Sequence, residues 1–193
     1  MSEVFCGIDL SASPRRPSGL ALIEGGVAKS LLVHDDELYE LVVESSPSVI
    51  AIDAPLSLPS HGAMREVDKA LVRMGFRVLP PVWRGMLSLT NKAISLAGRL
   101  AAVIPGALVV ETHPTSALRS SGCASVHDLL AALGVALRRP PASLSKDEVD
   151  ALVAAAVAKA TALGLDLRVT ASDGTVHLLK PLCPKGGVAP RRE

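Results

Sequence analysis

Glutamine is absent from this chain and Asn91 is its sole asparagine, so deamidation-prone side chains are almost eliminated, as in heat-adapted proteins. Aromatic residues make up 2% of the 193 positions, which leaves a core of Ala, Leu and Val and few surfaces on which a base could stack. The three cysteines, Cys6, Cys123 and Cys183, are odd in number and far apart. That excludes paired zinc-type spacing and reads as reduced thiols used for packing. The formal net charge is +1, so bulk charge does not mark a nucleic-acid binder. Arginine is nevertheless clustered in Pro-flanked pairs, Arg15–Arg16, Arg138–Arg139 and Arg191–Arg192, which are either phosphate contacts or solvated loop residues. No apolar run reaches about 18 residues without a charge, which argues against a membrane span. The opening MSEVFCGIDL has neither a basic start nor a long apolar stretch, so a cytoplasmic location is expected.

What is present is an ordered alternation of strands and helices in a chain that is 49% hydrophobic. VFCGIDLS (4–11) reads as an apolar strand ending in Asp9. SGLALIEGG (18–26) and VAKSLLVH (27–34) form a hairpin around Gly25–Gly26. DDELYELVVESS (35–46) has helical spacing and an acidic first turn, and PSVIAIDAPL (47–56) is a strand bounded by prolines. A short helix is expected over 64–75 and a long amphipathic one over 83–103. ALVVETHP (107–114) is a further strand, short helical pieces cover 115–121 and 125–136, and 143–164 is the clearest helix of the chain. Residues 166–181 close as a hairpin at Asp173–Gly174. Hairpins mixed with helix-connected strands predict one α/β domain over 1–193 with a mixed central sheet flanked by helices, and residues 57–105 as a helical insertion or elaboration.

Asp9, Asp53 and Glu111 lie at or near the C-terminal ends of predicted strands, the edge where open α/β sheets bind ligands. One such acid is common at a strand–loop handover, whereas three close together repel unless a cation or proton lies between them. Ser145 to Glu148 fits a capping box, with Asp147 in the first turn and Asp150 at i+3 on the same face. The helix dipole accounts for Asp147 and Glu148; it accounts less well for Asp150, which borders the apolar ALVAAAVA. Asp9, Asp53, Asp147 and Asp150, with Glu111, therefore make an all-oxygen site suited to Mg2+ or Mn2+. Such a site serves phosphoryl transfer or phosphodiester hydrolysis by a two-metal-ion mechanism.

GIDLS, AIDAP and DEVDALVAAA together resemble the RNase H-like superfamily, and their spacing is most similar to RuvC-type Holliday-junction resolvases. That resemblance implies an RNase H-like fold with Asp9, Asp53, Asp147 and Asp150 as the metal-binding acids. Asp53 stands where the resolvases carry a glutamate, one methylene longer. Over nearly the whole chain, GIDLSASPRRPSGLALI, AIDAPLSLP, REVD, LPPVWRGMLSLT, VVETHPTSAL and DEVDALVAA resemble the uncharacterised domain-of-unknown-function family 429, described as predicted RNase H-like nucleases. ETHP has no counterpart in the resolvase pattern.

His113 after the strand-end Glu111 is either a proton-transfer group or a polar residue at the start of the next helix. Arg65 and Asp68 are either a phosphate contact or an exposed i,i+3 ion pair. Trp83–Arg84 is either a base-stacking platform with a phosphate contact, or a hydrophobic anchor for the inserted helices. The loop SASPRRPSG (11–19) places Ser11, Ser13, Arg15 and Arg16 beyond Asp9, where they would face a substrate phosphate. The sequence thus reads as a Mg2+- or Mn2+-dependent hydrolase of nucleic acid or another phosphoester. An ATP-dependent phosphotransferase of the actin-like superfold shares the first strands but lacks a Gly-rich adenosine loop after residue 105, and an inactive binding module is the third reading.

Overall fold

The computed structural model describes residues 3–183. Alternation along β1 (Val4–Asp9) sends Phe5 to one face of the sheet and Cys6 and Ile8 to the other, and helices cover both faces. β1 pairs antiparallel with β2 (Ser18–Glu24); Gly25 and Gly26, both at positive φ, turn the chain straight into β3 (Val27–Val33). α1 (Asp35–Ser45) crosses the Cys6–Ile8 face to β4 (Val49–Asp53), which lies parallel to β1. Two helices follow on opposite faces: α2 (Glu66–Arg73) on the Phe5 side and α3 (Arg84–Val103) beside α1. β5 (Leu108–Thr112) joins parallel to β4, and α4 (Pro114–Ser121) and α5 (Val126–Ala132) return the chain over the Phe5 face. After a two-residue β6 (Ala136–Leu137) at the outer edge of β3 come α6 (Lys146–Ala162), β7 (Asp166–Ala171) and β8 (Gly174–Leu179). The mixed sheet runs in the order β6-β3-β2-β1-β4-β5-β8-β7. No helix among the described residues is long and apolar enough to cross a membrane.

Three expectations need correction. Cys123 and Cys183 form a disulfide, with Cα atoms 4.9 Å apart although 60 residues separate them in sequence; only Cys6 is a free buried thiol. Sequence spacing carries no information about that proximity, and the thiol argument for a reducing compartment loses its support. Trp83 is 56% exposed at the start of α3, so it does not anchor the helices to the sheet. The last hairpin turns at Ser172–Asp173, one residue early, and there the Asp173 carboxylate accepts the Glu66 and Val67 N–H groups at 2.5 and 3.1 Å and caps α2. The pair Arg191–Arg192 lies outside the described residues.

α6 is the axis of the Phe5 face. It is apolar on all sides and buried without interruption from Ala151 to Ala158. Its backbone rests on two glycines of the sheet. A Cβ on Gly7 would stand 2.1 Å from the Ala151 carbonyl oxygen and the Ala155 nitrogen, and one on Gly19 would stand 2.1 Å from the Asp147 carbonyl oxygen. Only hydrogen side chains in β1 and β2 permit this approach. Gly7→Ala is therefore expected to destabilise the fold by about 3 kcal/mol. Gly98→Ala, on α3 with open space around it, should instead stabilise it by up to about 1 kcal/mol. Denaturant midpoints of the two variants check this, and shifts of equal sign would contradict the seating of α6.

Candidate functional site

Ser145 caps α6: its Oγ accepts the Glu148 N–H at 3.2 Å, and Glu148 Oε2 accepts the Ser145 N–H at 3.0 Å. Glu148 Oε1 also accepts from Ser30 Oγ at 3.2 Å and from Arg139 at 2.5 Å. Burial alone would raise the Glu148 pKa, but these donors hold it below its ordinary range. One acid is thus spent on locking the start of α6 against β3. Asp147 and Asp150, on the adjacent face of the same helix, act electrostatically on Asp9.

The parallel register Ile8↔Ile52 makes Asp9 and Asp53 neighbours at the ends of β1 and β4. Among the described residues neither carboxylate has a hydrogen-bond or ion-pair partner. Burial, reinforced by Asp150 and Asp147, pushes Asp9 up to about 7. Asp53 is driven well above its ordinary value by burial, then by Asp9 and Asp150. Asp150 is 13% exposed and its carboxylate is held by the Lys146 ammonium one turn back.

Glu111 differs. It pairs with Ile52 in the β4–β5 register, one residue out of step with Asp53, and it binds Arg65. Arg65 is 1% exposed and all five of its N–H donors are taken. Nε and Nη2 donate to Asp68 at 3.1 and 2.7 Å, Nη1 and Nη2 to Glu111 at 2.7 and 2.5 Å, and Nη1 to Ser57 at 3.0 Å. Burial works against the guanidinium charge, yet Glu111 and Asp68 hold its pKa above the ordinary range. In this structure Arg65 has no donor left for a substrate phosphate, and Arg65–Asp68 is neither exposed nor weak. Glu111 is likewise neutralised rather than free to act as a catalytic carboxylate. Removing one member of such a buried ionic group costs about 3–5 kcal/mol, because the others are left unpaired.

His113 precedes α4, and its Nδ1 lies 2.6 Å from Ser116 Oγ. It occupies the cap position, but its ring makes no cap bond to the backbone. Burial lowers its pKa, against the opposing pull of Asp150, so the ring is neutral at pH 7. Asp9, Asp53, Glu111 and His113 line one cavity of about 210 Å³. The loop after β1 is braced by Ser11 N–H donating to Ser18 Oγ at 3.0 Å and by Lys92 donating to the Ser11 carbonyl at 2.6 Å. Ser13 Oγ accepts the Arg15 N–H within it. Arg15 and Arg16 are exposed, and Arg16 reaches to 4.0 Å from Asp147 at the edge of the acids. Arg84 is exposed at the first position of α3, and Met86 and Leu89 of the same helix line the cavity.

The expected four-carboxylate cluster is not closed. Among the described residues no group of three or more His, Cys, Asp or Glu is gathered for one metal ion. The donor chemistry still suits a hard cation, since Asp9 and Asp53 are adjacent, desolvated and without a hydrogen-bonded partner among the described residues. Mg2+ commonly takes one or two carboxylates, with waters and substrate phosphates completing its shell. Asp9 and Asp53 fit that smaller role.

No family model matches the chain and no curated protein matches it, so the resemblance to family 429 has no family-model support. The fold is RNase H-like. Within that class the chain is similar to T. thermophilus RuvC in complex with a Holliday junction substrate, with a TM-score of 0.51 and 15% identity over 83% of this chain and 96% of that one. A second T. thermophilus RuvC structure has a TM-score of 0.49 and 16% identity with the same coverage.

The acids predict a pH dependence. Between an unfolded carboxyl at 3.8 and a folded Asp9 at about 7, the native state binds a proton that the unfolded state does not. The stability Asp9 contributes is therefore greatest at acidic pH and is lost as pH rises through that window. In chelator, Asp9→Asn should match the wild type near pH 4 and melt a few degrees higher at pH 8. Melting curves at the two pH values check this, and parallel pH profiles would contradict it.

Proposed function

We propose that this protein is a Mg2+- or Mn2+-dependent nuclease. The observation that carries the reading is the pair Asp9–Asp53: two desolvated carboxylates with no hydrogen-bond or ion-pair partner among the described residues, side by side at the strand ends of an RNase H-like fold. A divalent cation there would offset phosphate charge and lower the pKa of an attacking water. Asp9 and Asp53 hold it, and Asp147 and Asp150 add negative charge from α6. Asp150 also keeps Lys146 beside the site, where its 81% exposed side chain can meet an incoming phosphate. His113 is neutral; in the tautomer in which Ser116 donates to Nδ1, the Nε2–H can donate a hydrogen bond that stabilises charge on a phosphate or leaving oxygen. Arg15, Arg16 and Arg84 contact flanking phosphates from the exposed rim, with the half-buried Ser11 and Ser13 beside them. That the similar RuvC is complexed with a Holliday junction supports nucleic acid as the substrate class.

The test is cleavage of labelled four-way junction, duplex and single-stranded DNA and RNA in Mn2+, Mg2+ or chelator. The wild type should cut at least one of them in a metal-dependent way, and Asp53→Asn should lose at least about 100-fold in rate. Binding without cleavage of any of them would instead make the chain an inactive module that keeps the fold.

A further inference from the structure

The cavity beside Asp9 and Asp53 is lined by two unlike kinds of side chain. Leu71, Val78, Leu79, Met86 and Leu89 make an aliphatic wall from α2, the loop after it and α3. Carboxylates complete the lining: Asp68 and Glu111 join the two strand-end acids. Arg65 also lines the cavity, but its five N–H donors are already bound to Asp68, Glu111 and Ser57. Among the described residues no lining cation is therefore free to receive a phosphate, which could sit here only at the cation that Asp9 and Asp53 would hold. The Asp68 and Glu111 oxygens keep spare acceptor sites: each of the two buried carboxylates accepts three of about four possible hydrogen bonds.

The occupant that fits is neutral and flat, with apolar faces for the leucines and methionine and N–H donors for the acid wall. At about 210 Å³ the space suits a single ring system better than a stacked base pair. We propose that this cavity receives the base of an unpaired nucleotide whose phosphate lies at Asp9–Asp53. This rests on the nuclease reading and narrows it: the substrate is single-stranded or locally unpaired at the cut, and bases with an exocyclic amine are preferred. Aliphatic walls replace the aromatic platform that this chain lacks.

The base pocket can be tested without metal or cleavage. The full chain is labelled at its methionine methyls, of which there are four including Met86, and titrated with cytidine, uridine and ribose 5-phosphate. Cytidine should shift the Met86 methyl saturably, uridine should do so more weakly, and ribose 5-phosphate should leave it unmoved. Leu79 is 57% exposed, so Leu79→Glu should fold normally and weaken cytidine binding at least about 5-fold. A Met86 methyl that ignores cytidine, or answers ribose 5-phosphate equally, overturns the pocket; uridine binding as tightly as cytidine overturns the acceptor wall. A saturable shift in a protein that shows no metal-dependent cleavage upholds the pocket and overturns the nuclease reading. Metal-dependent cleavage with an unmoved Met86 does the reverse.

Discussion

The close approach of α6 to Gly7 and Gly19 is the constraint from which the rest follows. With hydrogen side chains beneath it, an alanine-rich helix can lie on β1 and β2 almost backbone to backbone. Its first turn is then fixed laterally by Glu148, which spans Ser145, Ser30 and Arg139. Asp147 and Asp150 come to face Asp9 only because both conditions hold. A bulkier residue at either glycine would lift the helix and separate the acids from the strand ends, so core packing and site geometry are one requirement here.

The acids divide into two populations. Glu148 is shared among donors, Asp173 caps α2, Asp166 is held by Arg168 and His177, and Glu111 and Asp68 saturate Arg65. Burial is compensated at each of these by hydrogen bonds or opposite charge. Among the described residues Asp9 and Asp53 have no hydrogen bond or ion pair, and the nearby charges of Lys146 and Arg16 offset burial only in part, so both acids keep a raised affinity for protons. The buried Arg65 group sharpens the contrast, because it pairs Glu111 and Asp68 and leaves the strand-end acids as the cavity carboxylates without a hydrogen-bonded partner among the described residues. Uncompensated charge in a cleft is where functional sites are found.

Much of this was legible in the sequence. Apolar runs ending in Asp9 and Asp53, and the Ser145–Glu148 cap of a long apolar helix, are local signals, and they located both strands, the helix and the acid pair. The role of Arg65 was not legible, because nothing in REVD says that Glu111, 46 residues on, completes its shell. The β4–β5 register, which sets Thr112 rather than Glu111 level with Asp53, was not legible either. The disulfide, the two-residue β6 and the use of Asp173 as a cap for a distant helix are likewise products of tertiary proximity. They have no periodicity or local motif to announce them.

The measurement that bears most directly on this account is calorimetric titration of Mn2+ into the wild type and into Asp53→Asn, with and without a non-cleavable single-stranded oligonucleotide. The account predicts a binding heat in the wild type that grows when oligonucleotide is present, and its near-complete loss in the variant. Equal heats in the two proteins, or none in either even with oligonucleotide, would contradict it and make the partnerless carboxylates a feature of the fold alone.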